Sequence, residues 1–299
     1  MDVSPLPDPH PPVDAVRRAV RIALAEDLGG LGDLSAALVP AAVSGHLAVV
    51  PRRPGVVAGE LCAKAVFDQV DDSLKVLWHR PDGCAVEAGE PIAEVTGTLR
   101  SILTAERTAL NFLGRLSGVA TLTRRYVDAV RAANPATRVL DTRKTTPGLR
   151  SLEKAAVRAG GGHNHRFGLF DAVLIKDNHL AGLGIAEAVA KARAMWPGRA
   201  VEIECDRIGQ VEEACRAGAS SVLLDNMSIE EVSACVELVG GLRPDGSTLI
   251  EVSGGVTLES APEYAAAGVD LISVGALTHS APVLDLGLDL VTSRRIGED

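Results

Sequence analysis

Basic side chains cluster in the second half of the chain, where the sequence alternates between short apolar segments and amphipathic ones. Arg143 and Lys144 follow the first apolar segment, Lys176 ends the second, and His165 and Arg166 lie in the connection between them. Arginine and lysine clusters bind carboxylates and phosphates through charge-assisted hydrogen bonds. These residues predict a pocket for a small anion that carries several negative charges.

Acids and glycines follow the later apolar segments. The candidates here share a position just after a predicted strand: Glu204, Asp225, Ser253, Gly254, Gly255, Gly275 and His279. Paired acids that face a phosphorylated ligand suggest Mg²⁺, which uses one or two carboxylates together with phosphate oxygens and water. Glycines after the last strands of a barrel let backbone N–H groups approach a phosphate. The pattern therefore predicts a site that binds a phosphorylated sugar and a divalent metal.

Each of these features has a structural alternative. A single arginine or lysine is usually a solvated surface residue, and Glu204 could serve as a structural partner of Lys176. The Ser253-Gly-Gly turn could simply lead into a helix. His163 and His165 form an HxH pair, but no third or fourth ligand has a spacing suited to zinc. Charged residues at the same end of six buried strands are, however, hard to explain as packing.

The elements that must position these residues alternate between strands and helices. Six strand-like segments are joined by amphipathic segments, which predicts a parallel sheet. The connections could close the sheet into a barrel or leave it doubly wound. The six segments are 138-RVLDT, 172-AVLIK, 201-VEIECD, 221-SVLLDN, 249-LIEVSGG and 271-LISVGA.

The first half of the chain has a different organisation. Residues 1–12 form a proline-rich leader, and apolar residues at spacings of three and four predict a helix from Asp14 to Gly29. Short β-like runs and turns over residues 45–100, with a short helix at 60–69, indicate a small α+β unit. A long helix is predicted over about 103–132.

Composition excludes several classes of protein. The 299 residues carry 30 basic and 39 acidic side chains, a net charge of −9, and only 3% aromatic residues, which argues against nucleic-acid binding. No apolar run reaches the roughly 18 residues of a membrane span. The five cysteines contain no CxxC pair, so we expect buried thiols in a reducing cytoplasm.

The motifs resemble those of quinolinate phosphoribosyltransferases, also called carboxylating nicotinate-nucleotide pyrophosphorylases. They keep the family's order over residues from about 100 to 280, and together they are very specific. The matching strings are 105-AERTALNFLGRLSG, 141-DTRKTTPGLR, 160-GGGHNHRFGL, 174-LIKDNH, 202-EIECD, 223-LLDN, 251-EVSGGV and 273-SVGALTHS.

The resemblance implies Mg²⁺-dependent transfer of phosphoribosyl from phosphoribosyl pyrophosphate to quinolinate. Decarboxylation follows and yields nicotinate mononucleotide, pyrophosphate and CO₂ for NAD biosynthesis. It implies an α/β fold with an N-terminal α/β sandwich at 13–117 and an irregular, incomplete parallel α/β barrel at 118–280. Residues 281–299 would return toward the N-terminal domain. The resemblance also implies a homodimer or a higher homo-oligomer.

The resemblance also assigns roles position by position. The quinolinate-binding residues would be Arg143, His165, Arg166, Lys176 and, reaching in from the neighbouring chain, Arg107. The residues around phosphoribosyl pyrophosphate would be Lys144, Glu204, Asp225, Ser253, Gly254, Gly255, Gly275 and His279. Catalytic roles would fall to Lys144, Lys176, Glu204 and Asp225, and the last two would also hold the metal, partly through water.

Three rival functions remain at this stage. A related phosphoribosyltransferase could take nicotinate without decarboxylation, although the second carboxylate of quinolinate would explain the extra cations. Lys176 could instead be the nucleophile of a Schiff-base aldolase barrel. The same scaffold could also bind an anion without catalysis, because a fold alone does not prove a function.

Overall fold

The computed structural model describes residues 9–180 and 182–291 of the chain. Residues 1–8, which belong to the predicted leader, and 292–299, at the end of the predicted C-terminal segment, lie outside the described residues. The described chain forms two compact units. The first contains residues 9–124, 145–161 and 280–291, and the second contains residues 125–144, 162–180 and 182–279.

Strands and helices alternate through most of the chain. The strands within the described residues are β1 (Ser44–Pro51), β2 (Gly55–Val56), β3 (Lys75–Trp78), β4 (Ala85–Val86), β5 (Ala93–Thr98), β6 (Arg138–Leu140), β7 (Val173–Ile175), β8 (Val201–Cys205), β9 (Ser221–Asp225), β10 (Leu249–Ser253), β11 (Leu271–Ser273) and β12 (Leu286–Leu290). The α-helices are α1 (Val13–Leu28), α2 (Glu60–Val70), α3 (Leu99–Ala133), α4 (Arg150–Ala159), α5 (Asp177–Leu180), α6 (Ile185–Met195), α7 (Ile208–Ala217), α8 (Ile229–Leu242), α9 (Ala261–Ala266) and α10 (Ala276–His279), and a 3₁₀ helix covers Ala36–Leu38.

The first unit is built on an antiparallel sheet in the order β12–β1–β5–β3. β1 lies inside the sheet, where Leu47 pairs with Val95 of β5 on one side and with Leu290 of β12 on the other. Residues 47–51 of β1 are all buried. A strand that pairs along both edges and is covered on both faces has a continuous apolar sequence, and residues 47–51 follow this rule.

The helices of the first unit bury the apolar residues that the sequence pattern singled out. Val16, Val20 and Leu24 of α1 are buried at intervals of four residues, and α1 packs against α2. This spacing places the three side chains on one face of the helix. The predicted first helix is therefore confirmed.

The second unit is a parallel sheet in the order β6–β11–β10–β9–β8–β7. All six predicted strands are present, and neighbouring helices pack in sequence, α6 on α7 and α7 on α8. β6 and β7 lie at the two edges of the sheet, so its hydrogen-bonded order is not closed within the described residues. The expected α/β fold with an N-terminal α/β unit and a parallel α/β unit is confirmed, and the structure adds that the sheet of the first unit is antiparallel.

Apolar and acidic residues alternate along β8, and this alternation shows how the strand places its charged side chains. Val201, Ile203 and Cys205 are almost fully buried apolar residues on one face of the strand. Glu202 and Glu204 occupy the intervening positions, and successive side chains of a strand point to opposite faces of the sheet. Both acids therefore lie on the other face, at two different depths.

Candidate active site

A cavity of about 610 Å³ lies at the carboxyl ends of the strands of the second unit. Residues that follow or end all six parallel strands contribute to its wall. Parallel strands bring their carboxyl ends to one edge of a sheet, which is where ligands of α/β folds bind. The parallel topology therefore brings residues from six separate segments of the sequence together in one site.

The cavity contains nearly all the residues predicted to form a site. Those that line it are Arg143, Lys144, His165, Arg166, Lys176, Glu204, Asp225, Ser253, Gly254, Gly255, Gly275 and His279. Arg107 is not among the lining residues; it lies on α3 of the first unit and is exposed. His163 is also absent from the wall, and its backbone instead forms a parallel bridge with Leu140.

The cations of the cavity stand close enough to repel one another. Burial and then the charge of Arg143 lower the pKa of Arg166 below its ordinary value, while Glu202 and Asp171 act in the opposite direction. A guanidinium in such a crowd is stabilised by a bound anion. This side of the cavity is therefore suited to a ligand with more than one carboxylate.

A buried acid fixes the loop that carries two of the cations. Asp141, at the end of β6, accepts a hydrogen bond from the backbone N–H of His165 at 2.9 Å and another from Asn164 Nδ2 at 2.6 Å. Asp141 is itself fully buried. The loop that places His165 and Arg166 is thus held to the sheet by two hydrogen bonds to a buried side chain.

Two acids lie beneath His165 that sequence analysis did not assign to the site. His165 Nε2 is 2.9 Å from Glu202 Oε2 and 3.5 Å from Glu251 Oε2. Burial, and then repulsion from Glu202, raise the pKa of Glu251 to about 8, while His165 lowers it. The sequence did carry a signal for both acids, because each is a charged residue inside a buried apolar strand.

Lys176 and Glu204 form an ion pair in which the ammonium donates to the Glu204 carboxylate. The contact expected if Glu204 were a partner of Lys176 is therefore present, and both side chains also line the cavity. A Schiff-base lysine attacks through a free nitrogen lone pair, whereas Lys176 Nζ is held against the Glu204 carboxylate. This pairing therefore disfavours the aldolase alternative.

The part of the cavity at the ends of β10 and β11 is made largely of backbone. Gly254 has a φ of +90°, and a Cβ at this residue would lie 2.3 Å from Asn226 Oδ1. Asn226 donates from Nδ2 to Asp225 at 2.8 Å and from its backbone N–H to the Ser253 carbonyl at 3.1 Å. The next helix, α9, begins only at Ala261, so the turn does not lead directly into a helix.

Glu204 and Asp225 are the residues whose chemistry suits a divalent cation. They stand at the ends of the neighbouring strands β8 and β9, and both face the cavity. Two carboxylates on one wall provide the hard oxygen donors that Mg²⁺ prefers, and they leave coordination positions for ligand phosphates and water. The residues present therefore fit the expected metal.

No helix within the described residues combines the length and the apolar character that crossing a membrane requires.

Comparisons with known proteins agree with this geometry. The family model described as quinolinate phosphoribosyl transferase, C-terminal domain, matches residues 119–289, and the model for the N-terminal domain of the same family matches residues 33–117. The chain is 44% identical over 281 residues to a carboxylating nicotinate-nucleotide pyrophosphorylase of Mycobacterium leprae (strain TN), covering 93% of this chain and 98% of that protein. It is 40% identical over 304 residues to a decarboxylating quinolinate phosphoribosyltransferase of Nicotiana glauca, covering 96% of this chain and 85% of that protein.

The solved structures lead to the same result. The structure of the nicotinate-nucleotide pyrophosphorylase from Francisella tularensis superposes with a TM-score of 0.88 at 41% sequence identity, covering 95% of this chain and 98% of that one. Family models that match both halves of the chain, and relatives that it covers almost entirely, point the same way. The chain therefore belongs to the quinolinate phosphoribosyltransferase family.

Proposed function

We propose that the chain transfers phosphoribosyl from phosphoribosyl pyrophosphate to quinolinate with loss of CO₂, yielding nicotinate mononucleotide and pyrophosphate for NAD biosynthesis. One observation carries the proposal: a single cavity brings together a group of cations, a glycine turn and two acids. Quinolinate brings two adjacent carboxylates, and phosphoribosyl pyrophosphate brings a phosphate and a pyrophosphate. The relatives of the chain are named for this reaction.

The cationic side is suited to quinolinate. We assign Arg143, His165, Arg166 and Lys176 to its two carboxylates, because charge-assisted hydrogen bonds bind planar carboxylates strongly. A site built for nicotinate would need fewer cations, since nicotinate has one carboxylate. The crowding of Arg166 and Arg143 therefore supports quinolinate over nicotinate.

The glycine side is suited to phosphoribosyl pyrophosphate. We assign Ser253, Gly254, Gly255 and Gly275 to its phosphate groups, because the absence of side chains lets phosphate oxygens approach the backbone. Lys144 and His279 line the same side of the cavity beside Gly275, where a Cβ would approach atoms of both residues within 3.1 Å. Lys144 supplies positive charge toward the leaving pyrophosphate, and the His279 ring supplies a hydrogen-bonding group.

The transfer step needs positioning more than acid–base chemistry. The pyridine nitrogen attacks C1 of the ribose, the bond from C1 to the pyrophosphate oxygen breaks, and pyrophosphate leaves with that electron pair. Positive charge develops near C1, where Glu204 and Asp225 favour it electrostatically. Holding the two reactants in one cavity converts a bimolecular reaction into an effectively unimolecular one.

Decarboxylation follows from the product of the transfer. The ring nitrogen is cationic once it carries the ribose, and it stabilises the electron pair left at C2 when the bond to the carboxylate breaks. A proton taken up at C2 completes nicotinate mononucleotide. Lys176, placed beside the carboxylate site and paired with Glu204, is a suitable donor for that proton.

We assign Mg²⁺ to Glu204 and Asp225, partly through water. Bound there, the ion would neutralise charge on the departing pyrophosphate. Since Lys176 already pairs with Glu204, Asp225 is the acid that we expect to make the shorter contact with the metal.

We also propose that the enzyme is a homodimer or a higher homo-oligomer in which Arg107 enters the site of a neighbouring chain. Arg107 is exposed on α3 and absent from the wall of its own cavity, which supports this assignment. The test is to mix two strongly impaired variants, Arg107→Ala and Arg166→Ala, under conditions that allow subunits to exchange. One complete site in each mixed dimer would restore about a quarter of the wild-type activity. No recovery after demonstrated exchange would overturn the assignment.

We place the enzyme in the cytoplasm, in keeping with its five free cysteines.

The reaction is tested by one assay. Purified protein, Mg²⁺ and phosphoribosyl pyrophosphate are incubated with quinolinate or with nicotinate, and mononucleotide and CO₂ are both quantified. We expect equal amounts of mononucleotide and CO₂ from quinolinate and no product from nicotinate. Mononucleotide from nicotinate would support the rival transferase, binding without turnover would support a non-catalytic barrel, and borohydride trapping of Lys176 would support the aldolase.

A further inference from the structure

Three side chains of the second unit form a compact buried group, which we call the His165 clamp: His165, Glu202 and Glu251. His165 and Glu251 both line the cavity. The side chain of His165 is 13% exposed, and those of Glu202 and Glu251 are 8% and 1% exposed. Glu202 comes from β8 and Glu251 from β10, so two strands converge on one imidazole. The assigned reaction steps use neither acid directly.

The contacts fix which atom of the ring carries a proton. His165 Nε2 faces carboxyl oxygens of both acids, at 2.9 Å from Glu202 and 3.5 Å from Glu251. Carboxylate oxygens accept hydrogen bonds, so Nε2 must donate. An ionised acid at hydrogen-bond distance also favours the positively charged ring.

The two acids of the clamp have different surroundings. Glu202 accepts hydrogen bonds from His165 and, at 3.1 Å, from the Ser221 hydroxyl of β9. Glu251 Oε1 is buried and has no hydrogen-bond partner within the described structure. An ionised oxygen in that position would be strongly unfavourable, whereas a neutral carboxylic acid is tolerated much better. One imidazolium and one carboxylate leave the group electrically neutral.

We propose that Glu202 and Glu251 are positioning residues, Glu202 as the anion that keeps His165 cationic and Glu251 as a neutral acid that supports its orientation. The proposal rests on the proposed function, because a permanent cation at His165 is what a dicarboxylate ligand requires. A histidine alone would be only partly charged near neutral pH. The His165 clamp would keep the ring charged, so that the affinity for quinolinate would not change with pH near neutrality.

Other charged groups around the clamp bear on its pH dependence. Asp141 of β6 holds the backbone N–H of His165, and Arg166 follows His165 in the loop, where it is attracted to Glu202. On the β11 side, the neighbouring group is the Ser273 hydroxyl, which lowers the pKa of Glu251. Burial and Glu202 raise that pKa more strongly, to about 8, so Glu251 ionises only in alkaline solution.

The decisive variant is Glu202→Gln, which keeps the shape of the side chain and removes its charge. We expect its quinolinate KM to rise about tenfold near pH 7.5, because a neutral His165 makes a weaker hydrogen bond to a carboxylate of quinolinate than a cationic one. The difference should shrink toward pH 6, where the ring is protonated without help. Glu237→Gln, on the exposed side of α8, is the matched control and should follow the wild type.

Glu251→Gln tests the second half of the proposal. The wild-type quinolinate KM should rise above about pH 8, when Glu251 ionises and adds a negative charge beside the site. The Gln variant cannot ionise, so its KM should stay level through the same range. An alkaline rise that persists in Glu251→Gln, or a Glu202→Gln defect that is equal at every pH, would overturn the proposal.

Nitrogen NMR of the histidine rings in the substrate-free protein gives a readout that does not depend on turnover. A His165→Asn variant assigns the signal of His165 among the seven histidines. We expect both ring nitrogens of His165 to be protonated near pH 7.5 in the wild type and not in Glu202→Gln. A neutral ring in the wild type would overturn the proposal, even if the enzyme turned over normally. An inactive enzyme with a cationic ring would instead overturn the proposed function alone.

Metal analysis supplies a further check. The donor atoms of the clamp lie within 4.8 Å of one another, close enough for a shared cation. Stoichiometric metal in the purified protein that is lost in Glu251→Gln would overturn the proposal, because a bound cation would replace the ring proton.

Discussion

The two edge strands of the parallel sheet and the inner strands β10 and β11 contribute different chemical groups to the cavity. The edge strands β6 and β7 lead into Arg143 and Lys176, whereas the inner strands β10 and β11 lead into Ser253-Gly-Gly and Gly275. The first pair of strands therefore offers cationic side chains, and the second pair offers mainly exposed backbone. The contrast suggests that two anions of different shape can share one cavity when one is held by side chains and the other by main chain.

The largest effect should come from removing a cation assigned to quinolinate. We expect Arg166→Ala to raise the quinolinate KM and to lower kcat, so that kcat/KM falls about a hundredfold, because a charge-assisted contact contributes ~3 kcal/mol. Steady-state kinetics with each substrate varied separately measure this. Arg216→Ala, which breaks only an exposed pair with Glu212 on α7, is the control and should change little. Unchanged kinetics in Arg166→Ala would contradict that assignment.

The second effect should appear on the glycine side. Gly254→Ala places a Cβ against Asn226 in a left-handed backbone conformation. We expect the KM for phosphoribosyl pyrophosphate to rise about tenfold and the free energy of unfolding to fall by ~2 kcal/mol, because the added methyl cannot be accommodated without a shift of the turn. Kinetics and urea unfolding measure the two changes. If quinolinate binding were weakened more than phosphoribosyl pyrophosphate binding, the division of the cavity would be wrong.

A neighbouring glycine refines that test. Gly255 has a φ of +59°, but a Cβ there would meet no atom within 4 Å. Gly255→Ala should therefore cost only the left-handed backbone conformation, about 1 kcal/mol in stability. Its KM for phosphoribosyl pyrophosphate should stay closer to that of the wild type than the KM of Gly254→Ala does. An equal rise in the KM for phosphoribosyl pyrophosphate in the two variants would indicate that phosphate binding depends on the left-handed conformation of both glycines. It would not then depend on the close approach of Asn226 to Gly254.

A further effect should be a pH dependence of stability that originates beneath His165. The pKa of Glu251 is raised from 4.5 to about 8 by burial and by Glu202, so the folded protein holds a proton that the unfolded chain releases. This contribution to stability is complete below about pH 4.5 and is lost as the pH rises through about 8. The Tm of the wild type should therefore fall relative to that of Glu251→Gln between these values. A constant difference in Tm would show that Glu251 is ionised throughout.

Much of the parallel unit could be predicted from local sequence. The six strands follow from short apolar runs between amphipathic segments, and their polar ends follow from the position of residues such as Arg143 and Asp225. A parallel topology then requires these ends to meet. No distance between particular side chains had to be known for that prediction.

The deeper layer of the site could not be predicted in the same way. Glu202 and Glu251 lie on strands that are separated by β9, and His165 lies in a loop, so their approach to one imidazole depends on the placement of three separate elements. Sequence spacing carries no information about that placement. The pairing of Lys176 with Glu204 could be considered only as an alternative, because both residues would face the same cavity with or without the contact. The assignment of Arg107 depends on an assembly that lies beyond a single chain.

The position of β12 has a consequence for biosynthesis. β12 pairs with β1, so the sheet of the first unit is completed by a strand that is translated after the whole second unit. During translation, one edge of β1 therefore has no partner strand until residues 286–290 have been synthesised. Open strand edges promote association between chains. A nascent chain that is released before residue 286 would expose this edge permanently, so premature termination near the end of the message should yield aggregates and not a shortened enzyme.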